Sequence, residues 1–443
     1  MSKNGDTCDV HAAKVHTATR NKVAVLPLCA QAPLLTGYTL LYSSKSLMKE
    51  KRRIFLQKKR CVYYLCSLQT DKIQAEDNGM KDNCSTIDIF FSLIRCGIGK
   101  ERSLPQNPTP QQWQELFEMA KKQTLTGIAF AGVERLPADQ RPPKEIILQW
   151  YTLCESIKKK NAELDRKCAM VSQKFKSEGF DNCILKGQGI AQLYPNPALR
   201  TPGDIDIWLG GGERKAIEYV RKHIPDSHPT YHHIDFPIAP GLDIEVHYRP
   251  SWLYSPITNK KIQRFFASMA HTQFCNNIDA ADCSFPAPTA AFNRIYILLH
   301  IYRHLFQEGI GLRQLLDYYF VLEHGFSQEE REECRMRLKE LGLEKFAAAT
   351  TYILQEKFGL ESEKQIVTPD SKRGEFLLNE VMKAGNFGKY DSRYCIVSEE
   401  NEFRHFLNSM KRIARLAFQY PGETLWSPYF KIWHFVWRKR RKG

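Results

Sequence analysis

The chain has 443 residues, 43% hydrophobic and 26% charged, enough for two or three compact units and unlike a collagen-like or wholly disordered polymer. Its 64 Lys+Arg against 49 Asp+Glu give a net charge of +15, which suits a polyanionic partner. The excess is uneven: residues 1–79 hold 13 basic and 6 acidic residues, and 438–443 hold five more basic residues, so the remainder is about +3. A nearly neutral middle argues against a nucleic-acid stripe across the fold. The thirteen cysteines are scattered, with no C-x-x-C pair, as expected of reduced thiols rather than a disulfide framework or structural zinc site. The apolar stretch from Val23 to Leu35 is broken by Pro27, Gln31 and Pro33, and no uncharged run reaches the length of a membrane span; a cytoplasmic location is expected.

In chain order, residues 1–86 differ from the rest. They lack helical periodicity and carry the runs Lys49–Arg53 and Lys58–Arg60, so they read as a disordered or non-native extension, with Met80 a candidate natural start. Residues 87–178 form a helical N-terminal region: an amphipathic segment from Ile87 to Ile94, a helix started by Thr109-Pro110 with Trp113, Leu116, Phe117 and Ala120 on one face, and one long helix over 144–178. Residues 179–250 read as a sheet. Phe180–Leu185 is a short strand, Lys186-Gly187-Gln188-Gly189 a turn, and Ile190–Tyr194 a helical turn. Asp204–Leu209 alternates strictly and is ended by Gly210-Gly211-Gly212. A helix spans 213–223. Strands over 232–238 and 242–248 flank a hairpin turn at Ala239-Pro240-Gly241. Residues 251–425 return to helix, clearest over 290–306 and 312–324, then near 328–358, 371–384 and 402–420. An aromatic, basic tail covers 426–443.

The chemistry centres on Asp204-Ile205-Asp206. Residues i and i+2 of a strand share a face, so Ile205 and Ile207 turn inward and both carboxylates emerge together. A divalent cation is the common answer to such a charge pair, and its hard oxygen ligands suit Mg²⁺ or Mn²⁺. Lys186-Gly187 at a strand-to-helix turn makes an anion site, Arg200 is placed either to meet phosphate or to form a structural salt bridge, and Asp243-Ile244-Glu245 offers a third carboxylate. His232, His233 and His247 read as satisfied polar residues lining a cleft rather than a zinc site. Arg313 and Asp317, spaced i, i+4, read as a helix-face ion pair.

The run Ile184-Leu185-Lys186-Gly187, Tyr194, Arg200, Asp204-Ile205-Asp206-Ile207 and Asp243-Ile244-Glu245-Val246-His247-Tyr248, with Gly311–Asp317 downstream, resembles the bacterial nucleotidyltransferase-like family related to DNA polymerase β, in its branch associated with surface-polysaccharide genes. The resemblance covers roughly 87–415. It implies an α+β fold, a mixed β-sheet carrying the acids between N-terminal and C-terminal helical regions. It also implies an enzyme of the EC 2.7.7 type, moving a nucleoside monophosphate from an NTP to a hydroxyl with release of pyrophosphate. The implied catalytic and metal-binding residues are Asp204, Asp206 and Glu245, with Asp243 as rival to Glu245. Those for phosphate are Lys186, Gly187 and Arg200; the family's usual glycine-serine turn stands here as Lys186-Gly187-Gln188. The implied cofactor is Mg²⁺ or Mn²⁺, and the partners are an NTP and a small-molecule or glycan-type acceptor. Weak contact of the basic tail with an anionic membrane is a further expectation. Two alternatives stand beside this: a non-catalytic nucleotide-binding or regulatory protein of the same fold, and an RNA- or toxin-modifying nucleotidyltransferase.

Overall fold

The computed structural model describes residues 84–237, 243–394 and 402–441. The expectations for residues 1–83, Met80 included, and for the turn at Ala239-Pro240-Gly241 fall outside that range.

Helix α1 (Thr86–Ile98) starts at Ser85, whose hydroxyl accepts from the Asp88 amide, and ends at Gly99 in the left-handed region. Helix α2 (Pro110–Lys122) starts at the expected N-cap, Thr109, and completes it with a capping box. The Thr109 hydroxyl accepts from the Gln112 amide, the Gln112 side chain accepts from the Thr109 amide, and Trp113, Leu116, Phe117 and Ala120 are buried. Helix α3 (Thr126–Arg135) follows directly and packs on α1 so closely that a Cβ on Gly97 would overlap the Ile128 carbonyl. The long helix α4 (Lys144–Ser177) then crosses to the sheet.

Four strands form that sheet, β1 (Asn182–Leu185), β2 (Ile205–Leu209), β3 (His233–Asp235) and β4 (Ile244–His247), in the order β1-β2-β4-β3. β2 and β4 run parallel, and both outer pairings are antiparallel. The short helix α5 (Gly187–Ala191) follows β1, and α6 (Gly212–His223) follows β2 through Gly211, another left-handed glycine. The fold is therefore α+β with a small mixed sheet.

Alternation decides what each sheet face meets. Ile184, Ile205, Ile207, Ile234 and Val246 point into a core with Cys168, Val171 and Phe175 of α4 and Ala216 and Val220 of α6. Each isoleucine, valine or phenylalanine among them, fully withdrawn from water, contributes about 1.5–3 kcal/mol. On the opposite face Cys183, Leu185 and Trp208 join the larger helical core. There α7 (Pro256–Cys275) and α8 (Ala290–Gln307) cover Trp208, whose ring lies 4.8 Å from Phe274 and 5.9 Å from Phe292. Both faces of β2 are thus buried, where its alternation alone predicts one open face.

A small hairpin, β5 (Asn277–Ala280) with β6 (Cys283–Pro286), lies between α7 and α8; like α3 and α7 it gave no distinct signal in the sequence. The helical remainder comprises α9 (Leu312–Glu323), α10 (Gln328–Glu340), α11 (Glu344–Phe358), α12 (Ser371–Ala384), α13 (Glu402–Leu416) and α14 (Pro421–Arg441). The helical stretch expected near 328–358 consists of two helices, divided at Gly342, which has a φ of 71°. The terminal segment read as a tail is helical to Arg441. Eight cysteines in the described residues are free thiols, and none of the described helices is long and apolar enough to cross a membrane.

Candidate active site

Strand register builds the site. Asp206 of β2 stands opposite Glu245 of β4, and Glu245 stands opposite Asp235 of β3. Two residues along on the same face, Trp208, His247 and His233 form the next row. Directly opposed residues share a face, so a carboxylate row lies beside a histidine row.

The contacts are short. The Nε2 of His247 lies 2.7 Å from Asp206 Oδ1 and 3.2 Å from Glu245 Oε2. His233 Nδ1 is 3.2 Å from the same Glu245 oxygen and 3.0 Å from His232 Nε2. Lys186 reaches in from the end of β1, placing Nζ 2.7 Å from Asp206 Oδ1. Asp206 is only 2% exposed, while Glu245 is partly open to solvent.

Electrostatics follow from that packing. Burial disfavours charge on Lys186, but the Asp206, Asp204 and Glu245 carboxylates outweigh it and raise the amine above its ordinary 10.5. His247 behaves alike: burial opposes its charge, yet hydrogen bonds to Asp206 and Glu245 raise it to about 9. Burial also works against ionised Glu245, and contacts with His247 and His233 still pull it down to about 2. Burial keeps the other two imidazoles neutral, lowering His233 to about 4 and His232 well below the usual 6.5. At neutral pH the site therefore holds ionised Glu245 beside protonated His247 and Lys186.

Buried polar groups hold the turn at Lys186 and the approach to β2. Lys186 has φ 52° and ψ −136°, a conformation costing a non-glycine residue about 1–3 kcal/mol. Gln188, two residues on, donates to Asp165 Oδ1 at 2.6 Å and ties this turn to α4. One turn earlier on α4, the Asn161 side-chain amide donates to the Ala198 and Arg200 carbonyls at 2.7 and 2.8 Å, fixing the approach to β2. From α9, Arg313 Nη1 donates to the Thr201 carbonyl at 2.8 Å.

The expected site residues divide accordingly. Asp206, Glu245 and Lys186 converge. Gly187, at φ 29°, turns the chain past the Asp204 carbonyl. Asp204 itself is exposed at the entrance to β2 and outside the groups of side chains whose ligand atoms lie within 4.8 Å of one another. Asp243 is exposed and likewise outside them; its carbonyl accepts from the Ile205 amide at 3.0 Å. Arg200 points elsewhere. It is 4% exposed, and its Nε and Nη2 grip Asp317 of α9 at 2.7 and 2.8 Å, with the Tyr194 hydroxyl donating to the same carboxylate. Asp317 therefore pairs with Arg200, and the ion pair expected between Arg313 and Asp317 gives way to this longer-range one.

Three possible ligand groups converge among the described residues: Asp206–Glu245–His247, His232–His233–His247 and His233–Asp235–Glu245. The histidines expected as satisfied polar residues are hydrogen-bonded, His233 to His232 and Glu245 and His247 to Asp206 and Glu245. Asp235 went unrecognised in the sequence because only strand register sets it opposite Glu245. Asn161 and Asp165 had a faint signal, a polar i, i+4 pair on the mostly apolar buried face of α4.

A family model described as uncharacterised nucleotidyltransferase matches residues 109–359. Among solved structures, the chain is similar to an antigenic nucleotidyltransferase-like protein from Paracoccidioides brasiliensis, with 14% identity, 48% of this chain and 97% of that chain covered, and a TM-score of 0.29. No curated protein matches the chain.

Proposed function

Because the chain belongs to this uncharacterised nucleotidyltransferase family, we propose that it transfers a nucleoside monophosphate from an NTP to a hydroxyl of a small-molecule or glycan-type acceptor, with release of pyrophosphate. The observation that carries this reading is the pairing of Asp206 with Glu245 across parallel strands, with the Lys186 ammonium against Asp206. The glycan-type acceptor rests on the resemblance of the motifs to the polysaccharide-associated bacterial branch.

The donor set fits a divalent cation. Asp206 Oδ1, Glu245 Oε2 and His247 Nε2 lie within 4.8 Å of one another, and two hard carboxylates suit Mg²⁺ or Mn²⁺. Asp206 and Glu245 would hold the ion, with Asp204 at the open end as a further carboxylate. Bound there, it would supply Lewis-acid stabilisation of charge on the phosphoryl oxygens.

The chain's own groups do the rest. Lys186, held charged, meets the negative charge of the polyphosphate. Glu245 is too acidic at about 2 to store a proton near neutral pH, so it binds and orients. His247 carries compensating positive charge when the carboxylates stand alone. The Gln188–Asp165 and Asn161–Arg200 contacts keep both loops in place, which conserves orientation between nucleotide and acceptor.

A second reading, a non-catalytic nucleotide-binding protein of the same fold, is favoured by one contact: Asp206 Oδ1 already meets both Lys186 Nζ and His247 Nε2 at 2.7 Å. Incubation with α-labelled ATP, CTP, GTP and UTP, with and without Mg²⁺ or Mn²⁺, over glycan and small-molecule acceptors separates the two. Transfer of label, lost in Asp206→Ala with an unchanged circular-dichroism spectrum, supports the enzyme. Thermal stabilisation by NTP and cation without label transfer or pyrophosphate release supports the binding protein. If neither response occurs, both readings fail.

A further inference from the structure

Helix α14 has two unlike sides. Its inner side is fixed to the protein. Phe430 stacks on Trp252 at 6.2 Å and meets Tyr254 at 5.3 Å, the Glu423 carboxylate accepts from the Tyr254 amide at 2.6 Å, and Lys431 donates to the Ser409 hydroxyl of α13. The outer side is apolar. Leu425, Tyr429, Ile432 and Val436 are 69%, 69%, 62% and 42% exposed. Their spacing of i, i+4, i+7 and i+11 makes one continuous stripe along the helix. Trp426 and Phe435 widen it, and Phe418, just ahead of the helix, is 93% exposed.

Charge identifies the occupant. Residues 424–443 contain no Asp or Glu and six Lys or Arg, five of them at 438–442. Lys439 Nζ lies 4.6 Å above the Phe435 ring, so cation and aromatic edge occupy one surface. A helix with an outward apolar stripe, aromatic flanks and a basic end has the composition of one that lies in the plane of a bilayer interface. We propose that α14 docks this protein on an anionic lipid bilayer, with Leu425, Tyr429 and Ile432 entering the headgroup–acyl boundary and the basic end of the helix, Arg438 and Lys439, against acidic headgroups. Nucleic acid would use the basic residues and the rings, yet it offers nothing to exposed Leu425, Ile432 and Val436. The segment 1–79 of the same chain carries a net +7, the same sign as residues 438–442. The proposal is independent of the chemistry at Asp206.

Sedimentation of the full chain with phosphatidylcholine vesicles, with and without phosphatidylglycerol, tests it, with tryptophan emission as a second readout. Wild type is expected to sediment with the anionic vesicles and shift its emission to the blue, and to release as salt is raised from about 0.1 to 0.5 M. Replacing Arg438 and Lys439 by Ala weakens partitioning about fivefold per residue. Leu425→Ser with Ile432→Ser weakens it at least about tenfold, while melting curves overlay the wild type because both positions face solvent. Asp206→Ala binds like wild type. Four results overturn the proposal: no vesicle binding by the full chain, as when another segment covers the face; wild-type binding by the Leu425/Ile432 variant; binding of a single-stranded oligonucleotide in place of vesicles; or a dimer that the Leu425/Ile432 variant dissolves while vesicles have no effect.

Discussion

Replacing Arg200 by Ala separates a structural guanidinium from one that binds phosphate. In the structure Arg200 is 4% exposed and makes two charge-assisted hydrogen bonds to Asp317, at 2.7 and 2.8 Å. Burial opposes its charge, and the Asp317 carboxylate more than compensates, so the group is held protonated. Each such bond is worth about 1.5–3 kcal/mol. Removing one partner also strands a buried carboxylate whose remaining donor is the Tyr194 hydroxyl. The expected loss is about 3–5 kcal/mol for Arg200→Ala, and a similar loss for Asp317→Ala. Arg200→Met combined with Asp317→Leu restores apolar volume on both sides and recovers most of it. The remaining deficit is about 1 kcal/mol, from the Tyr194 hydroxyl left without an acceptor. The assay is urea denaturation followed by circular dichroism for the two single variants and the double variant, with NTP affinity measured on folded protein. If Arg200→Ala loses less than about 1 kcal/mol while NTP affinity collapses, the structural assignment is wrong and the residue contacts phosphate.

Three other outcomes are expected. Gly97→Ala forces α1 away from the Ile128 carbonyl and lowers stability by about 1–3 kcal/mol; an unchanged denaturation midpoint would contradict the close helix crossing. Lys431 is lowered from 10.5 to about 8 by burial and then by the charge of Arg303. The folded state thus binds that proton more weakly than the unfolded chain, so the stability penalty is full below about pH 8 and disappears as pH rises through 8 to 10.5. The melting-temperature difference between wild type and Lys431→Met should change over that window and stay flat below it; a difference independent of pH would refute the sign. Finally, thiol labelling of the native protein mapped by mass spectrometry should mark exposed Cys275 quickly, and leave Cys96 and Cys154 unmodified, since burial pushes those thiols up to about 11 and about 12. Rapid labelling of Cys154 would show that α4 does not pack as described.

Local chemistry was readable in the residues themselves. Thr109-Pro110 with Gln112 started α2, the alternation of Ile205 and Ile207 made a strand, and Gly210-Gly211-Gly212 ended it, because caps and side-chain periods act over a few residues. Asp206, Glu245 and Lys186 could be singled out for the same reason: each lies in a short segment whose pattern assigns it to a strand or turn. Which groups meet was decided only by packing. The β2–β4 register brought Glu245 rather than Asp243 beside Asp206, and β3 added Asp235 and His233 to the same face. Arg200, four residues before Asp204, turned from the site to Asp317, 117 positions away, because a buried guanidinium takes the carboxylate that can replace its lost hydration. The end of the chain shows the same division. Its aromatic and basic composition was plain, but only the contacts of Phe430 and Glu423 determined which side of α14 faces the protein and which is left to water.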